Sequence, residues 1–310
     1  MHTSCSRRWA AGILLWLIGL VTTLAATPAM GAPAALTPVV APSAQAEANF
    51  QRVWARTDWP VALKLVPRGW TWGPAPLDTR TEPYAEGAGG SRQVQYYDKA
   101  RMEINDPNAD PSKPWFVSNG LLVVEMVGGQ IQVGNTSYTP QPASLEVVAG
   151  DARSANPDAP SYATMRGVAS ITGDHTFPDR TGQPVNGYMD ARGAVARSDT
   201  LLGYNVRFTH YVPQSQHNIA DRFWSYLQQS APVYRNERLV TEPLYDWLYL
   251  TGYPISEPYW VTARIGGTPY AVLVQLFQRR VLTYTPAFPP QWQVQMGNVG
   301  QHYHAWRYGR

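Results

Sequence analysis

Three histidines and a handful of acids are the residues of this chain whose types could support catalysis. His175, His210 and His217 lie within one segment, with Asp179 and Asp221 close by in sequence. His210 and His217 are separated by six residues across an expected strand end, so both rings could face one cleft. With Asp179 or His175 as a third donor, that cleft would suit a zinc ion and a hydrolytic reaction. No short metal-binding spacing such as HExxH backs this set, and ordinary histidines without a ligand are the competing reading. Glu82 and Glu257 form a second set, each in a Glu-Pro-Tyr turn. Paired carboxylates serve as acid and base in glycosidases, but the favoured reading is a turn carboxylate capping nearby backbone N–H groups. His302 and His304 would share a face if the C-terminal segment were a strand. No nucleophile elbow, P-loop or dinucleotide fingerprint occurs, so no cofactor is expected.

Aromatic residues are the other source of chemistry. The chain has 12 tryptophans in 310 residues. Tryptophan is most often core, but it also provides stacking faces for sugar rings. Tyr97, Trp260, Phe277 and Trp292 are the positions expected to bind a ligand in this way. The bases Lys99, Arg101, Arg279 and Arg280 follow two of these aromatics, where they would meet an anionic glycan or cover a sheet edge with charge.

These positions belong to an apparent internal repeat. Val94–Gln95–Tyr96–Tyr97–Asp98–Lys99 is matched by Val274–Gln275–Leu276–Phe277–Gln278–Arg279, and Met102 by Leu282. Upstream, Glu82–Pro83–Tyr84 matches Glu257–Pro258–Tyr259, and Trp72–Gly73–Pro74 is echoed by Gly252–Tyr253–Pro254. Downstream, Trp115, Val117 and Gly120 match Trp292, Val294 and Gly297. Such self-similarity indicates duplication of one unit. A residue kept in both copies is expected to build the unit, whereas a chemical site is more often unique.

Around the repeat, the chain divides into a signal peptide (1–31), a flexible tether (32–47), a first repeat unit (48–133), a unique β-rich centre (134–217) and a second repeat unit (218–310). Arg7 and Arg8 precede an uncharged apolar run from Trp9 to Ala25, as in an export leader. Apart from that leader, which is just long enough to anchor if left uncleaved, no membrane span is expected. The single cysteine, Cys5, would leave with the leader, excluding disulfides and cysteine nucleophiles from the mature protein. Loss of Arg7 and Arg8 brings the 25 basic residues close to the 22 acidic ones, which argues against nucleic acid as a partner.

The Gln-aromatic stretches read as strands, and Leu121–Val124 as a buried strand closing the first unit. Asn49 is expected to cap a short helix that Pro60 ends, Asn218 a second with Ile219, Phe223 and Leu227 buried, and Thr241 a third. Val206–Val212 reads as a strand, and Val299–Trp306 as a closing helix or strand. The expected fold is α+β and strand-dominated, with two duplicated helix-plus-hairpin units flanking the unique centre.

Gly252–Tyr253–Pro254–Ile255–Ser256–Glu257 followed by Val274–Gln275–Leu276–Phe277–Gln278–Arg279 and Tyr284 resembles the GYPIS…VQYFER repeats of secreted Chloroflexota-type proteins. It is also similar to LGFP-like modules of cell-envelope proteins. The first unit departs from the pattern, with Trp72–Gly73–Pro74 in place of Gly-Tyr/Phe-Pro. The resemblance implies a secreted or envelope location and a binding role, and assigns no catalytic residue. Three functions follow as expectations: a non-enzymatic module binding polysaccharide, a secreted hydrolase with a central His-based site, and a scaffold for another envelope protein.

Overall fold

The computed structural model describes residues 43–309, so the signal peptide and the first part of the tether lie outside the described residues. Among these residues no helix is long and apolar enough to cross a membrane. The fold is mixed α+β and rich in strands. The chain opens with helix α1 (Ala44–Ala62), which starts within the expected tether, because Ser43 rather than Asn49 caps it by accepting from the Ala46 N–H at 3.2 Å. Pro60 sits in its last turn instead of ending it.

Four short strands then form an antiparallel meander: β1 (Asp78–Pro83), β2 (Ser91–Tyr96), β3 (Arg101–Ile104) and β4 (Ser118–Asn119). Helix α2 (Leu122–Gly128) follows, where a strand was expected. A short apolar run cannot be assigned by period alone. Here Leu122 and Met126, and Val123 and Val127, are buried pairs at i, i+4, and Gly129 at φ 68° ends the helix.

Hairpin β5 (Gln130–Gln132)–β6 (Tyr138–Pro140) straddles the expected boundary at 133/134, and the centre goes on with helix α3 (Tyr162–Met165), hairpin β7 (Gly187–Met189)–β8 (Val195–Arg197), and hairpin β9 (Phe208–Val212)–β10 (His217–Ala220). The expected boundary at 217/218 therefore falls inside β10. Helix α4 (Asp221–Leu227) begins after Asn218, whose side chain is committed to the Glu257 carboxylate and the Pro178 carbonyl and caps nothing. Ile219, Phe223 and Leu227 are nonetheless all buried. Hairpin β11 (Ser230–Arg235)–β12 (Arg238–Pro243) contains Thr241, so Asp246 instead caps helix α5 (Trp247–Thr251).

A second meander, β13 (Tyr259–Ile265), β14 (Thr268–Leu276), β15 (Val281–Tyr284) and β16 (Val294–Met296), is extended at its β13 edge by β7 and β8 into six strands. It closes with helix α6 (Val299–Tyr308).

The two meanders share one register. Gln95 faces Met102, which faces Asn119; Gln275 faces Leu282, which faces Met296. The β2–β3 turn is closed by the Tyr97 N–H donating to the Ala100 carbonyl, and the β14–β15 turn by the Phe277 N–H donating to the Arg280 carbonyl. Gly73 and Gly252 hold positive φ angles of 150° and 66°, and a Cβ on either would press into the matching residue, Asp98 or Gln278. The Glu-Pro-Tyr match does not survive: Val94 faces Arg80 whereas Val274 faces Tyr259, so Glu82 and Glu257 occupy different places.

The helix that follows each meander packs against the turn of the other. The Val124 N–H of α2 donates to the Gln278 carbonyl at 3.3 Å, and the Gln301 N–H of α6 donates to the Asp98 carbonyl at 3.1 Å. Val94 and Tyr96 from the first sheet, Val274 and Leu276 from the second, and α2 and α6 between them form one apolar core. The outer face of the first sheet packs Tyr97 and Met102 on Phe50 and Trp54 of α1. The outer face of the second packs Trp260 and Leu273 with Phe223 and Leu227 of α4.

A buried ion network pins α6 to the first sheet. Glu82 receives Arg307 at 2.8 Å and the Tyr308 hydroxyl at 2.6 Å, while Arg101 reaches Glu125 of α2 at 3.2 Å. Burial opposes ionisation of Glu82, but Arg101, Arg307 and Arg92 outweigh it and hold its carboxyl well below the usual range. Glu103 is held down by Arg92 and Arg101 against the same opposition, whereas burial dominates at Glu125 and pushes it up. Depressed carboxyls stabilise the fold above their unfolded pKa of about 4.3 and lose that contribution as they protonate on acidification. The raised Glu125 acts with the opposite sign.

Two outcomes follow. Stability measured by urea unfolding should fall as pH drops below about 5, and Glu82→Gln, which takes the carboxylate from buried Arg307 while Arg92 and Arg101 keep Glu103, should cost roughly 3–5 kcal/mol at pH 7. Gly300→Ala places a Cβ 1.9 Å from the Tyr97 carbonyl oxygen. It should therefore destabilise by about 1–3 kcal/mol, the reverse of the usual gain of alanine over glycine in a helix.

Candidate functional site

Of the aromatics expected to bind a ligand, three are core. Tyr97 is 1% exposed, and Trp260 and Phe277 are fully buried. Trp260 stacks on Tyr204 and donates its indole N–H to the Val185 carbonyl at 2.9 Å. None of the three presents a face to a ligand, because the outer faces of the sheets on which they lie are covered by α1 and α4. Trp292 differs: it is 37% exposed and lines a hollow of about 510 Å³ with Arg68 and Trp70.

Its counterpart by register is Trp115. Trp115 lies four residues before Asn119 and Trp292 four before Met296, the matched β4 and β16 positions. Trp115 is 41% exposed. The tryptophan shared by both meanders is thus partly open in each.

Trp115 stands on the wall of a larger cleft of about 770 Å³. Helix α1 contributes Arg52 and Arg56, the β3–β4 loop contributes Lys113 to Val117, the β11–β12 hairpin contributes Tyr234 and Glu242, and α5 with its approach contributes Tyr245 and Tyr249. The cleft has a braced frame. Arg56 bridges α1 to the hairpin, reaching Glu242 at 2.9 Å and the Leu244 carbonyl at 2.7 Å. Arg52 holds the loop through the Pro111 carbonyl at 2.7 Å, and the Tyr249 hydroxyl donates to the Val117 carbonyl at 2.8 Å. The Tyr249 ring meets Trp115 edge-on at 5.2 Å between centroids, and the Arg279 guanidinium lies 5.2 Å from the indole centroid. Trp115 itself has φ 69°, a conformation that costs a bulky side chain of order 1–3 kcal/mol.

The histidines do not form the expected zinc cleft. His210 lies flat on Trp224 at 3.8 Å, and burial lowers its pKa. His217 is fully buried, with Nδ1 3.3 Å from the Glu257 carboxylate and Nε2 3.0 Å from the Ser170 hydroxyl. Asp179 sits in an exposed turn, accepting from the Thr181 N–H. The two histidines thus have separate partners, and among the described residues no group of three His, Cys, Asp or Glu is placed to hold a metal. His302 and His304 lie on a helix and bond to Tyr162 and Asp78 respectively. The repeated bases are not a surface edge: Lys99 donates to the Met296 carbonyl at 2.9 Å and to Asn298, and Arg101 and Arg280 are buried.

No family model, curated protein or solved structure matches this chain.

Trp115→Ala should cost less than about 1 kcal/mol of unfolding free energy, because the partly exposed ring loses few buried contacts and alanine keeps the Cβ, leaving the cost of φ 69° unchanged. Trp72→Ala or Trp260→Ala, which empty buried sites, should cost roughly 3–5 kcal/mol by the same chemical-denaturation measurement.

Proposed function

We propose that this protein is an exported module that binds cell-envelope or extracellular polysaccharide through the aromatic cleft around Trp115, with Trp292 as the matching contact on the second meander. One observation carries this reading. The tryptophan shared by both meanders stays partly exposed in each, although full burial of a large apolar side chain is worth roughly 1.5–3 kcal/mol. A residue needed only to build the unit would be buried, as the matched Tyr97 and Phe277 are. An open indole offers a flat apolar face to the C–H face of a sugar ring, while the arginines, Glu242 and tyrosine hydroxyls around it suit hydroxyl groups. The braced frame keeps that face in place before a ligand arrives, which lowers the ordering cost of binding. An envelope location follows from the leader-like N-terminus and from the resemblance of the repeat to secreted modules.

The test is retention of the mature protein on insoluble cell walls and a panel of polysaccharides. Trp115→Ala should weaken retention at least tenfold, about 1.4 kcal/mol, with unchanged thermal unfolding. Trp292→Ala should give a second, separable loss. Retention unaffected by both substitutions, or absent across the panel, would contradict the reading.

A further inference from the structure

The surroundings of His217 were not legible in the sequence and are independent of the aromatic cleft. Ser170 follows the turn after α3 and is tied to the segment leading into β13 by its N–H, which donates to the Ile255 carbonyl at 2.7 Å. Its side chain is half-buried, whereas His217 and Glu257 are buried. The order of contacts runs from solvent inward: Ser170 Oγ to His217 Nε2 at 3.0 Å, then His217 Nδ1 to Glu257 Oε1 at 3.3 Å. A carboxylate has no proton to give, so Nδ1 carries the hydrogen it donates to Glu257. In that tautomer the second ring nitrogen, Nε2, is the one facing the serine hydroxyl.

The rest of the shell fixes that arrangement. Glu257 Oε1 accepts the Asn218 backbone N–H at 2.9 Å, and Oε2 faces Arg180 at 3.5 Å. Gln275 donates to the Asn218 carbonyl at 2.8 Å and the Ser256 carbonyl at 3.0 Å, locking together the residues beside His217 and Glu257. The Phe177 ring lies 6.1 Å from the imidazole, and its N–H is bonded to the Gln216 carbonyl at 2.9 Å. A nucleophile in reach of a base that is itself oriented by a third group is the arrangement that activates a serine, and such sets are recognised by geometry rather than by chain order.

We infer that Ser170, His217 and Glu257 form a nucleophilic serine site for acyl esters, with Ser170 as nucleophile, His217 as general base and acid, and Glu257 as the positioning residue. In the reaction, Oγ forms a bond to the ester carbonyl carbon as its proton passes to His217 Nε2. The C–O bond to the alcohol breaks, and the alcohol leaves with the proton returned by His217. Water, activated by the same imidazole, then releases the acid and restores Ser170. The Ser170 hydroxyl donates to the Asp174 carbonyl in this structure, so its single proton turns from that carbonyl to His217 Nε2 before attack.

The experiment is covalent capture of the unsubstituted protein with a fluorophosphonate, with the adduct located by peptide mass. An adduct on Ser170, matched by hydrolysis of 4-nitrophenyl acetate that Ser170→Ala abolishes, is expected. An unlabelled Ser170 at reagent concentrations that label ordinary serine esterases would overturn the inference. A second measurement separates an activated hydroxyl from a merely structural contact. In Ser170→Cys, alkylation of the introduced thiol at pH 6.5 should run roughly 10- to 100-fold faster than in Ser170→Cys combined with Glu257→Gln, because an unactivated thiol with pKa about 8.5 is only about 1% ionised there. Equal and slow rates in the two variants would also overturn it.

Discussion

The structure depends on an exchange. Each meander is too thin to bury both faces by itself, and the helix that follows it closes onto the turn of the other meander rather than its own. The Val124–Gln278 and Gln301–Asp98 bonds mark the two halves of this clasp, and they fall at matching positions in the two registers. Two short sheets thereby share one helical layer and one apolar core. Two sheets and intervening helices are what each unit, marginal on its own, requires to become stable. The equivalence ends at charge. The first sheet ties α6 with Glu82, Arg101 and Arg307, whereas the second sheet meets α2 through apolar side chains such as Val274, Leu276 and Val281.

The exchange also explains where functional surface is left over. The inner faces of both sheets are consumed by α2 and α6, and the outer faces by α1 and α4. The loop before the last strand of each meander is left partly open, and that loop carries Trp115 in one case and Trp292 in the other. We read the matched registers as support for a duplicated unit whose shared residues have two fates. Most, like Tyr97 and Phe277, became core, and one tryptophan per unit kept its face open.

Much of the scaffold was legible because it rests on local patterns. The alternation in Val94–Tyr97 and Val274–Phe277 gives strands, and Ile219, Phe223 and Leu227 share a buried stripe despite the shifted helix start. Misjudged caps have a common cause: Asn49, Asn218 and Thr241 are good capping types, but Asn49 is spent inside α1 on the Gln45 carbonyl, Asn218 on Glu257 and Thr241 on a hairpin. The site was harder to read. Aromatic type does not reveal which face of a strand is covered, so Tyr97, Trp260 and Phe277 were expected at a ligand and lie in the core. Trp115 was visible only as the partner of Trp292, and the arginines and Tyr234 that frame its cleft come from elements far apart in the chain. Ser170 and His217 are 47 residues apart, with no motif to join them.

The most direct test of the account is to follow tryptophan indole N–H resonances of the ¹⁵N-labelled mature protein during titration with soluble fragments of a retained polysaccharide. Trp115 and Trp292 should shift, while Trp54 and Trp260, whose rings are enclosed and line neither hollow, should stay in place. Shifts confined to the enclosed tryptophans, or none on saturation, would contradict the claim that the shared, open tryptophan is the binding surface.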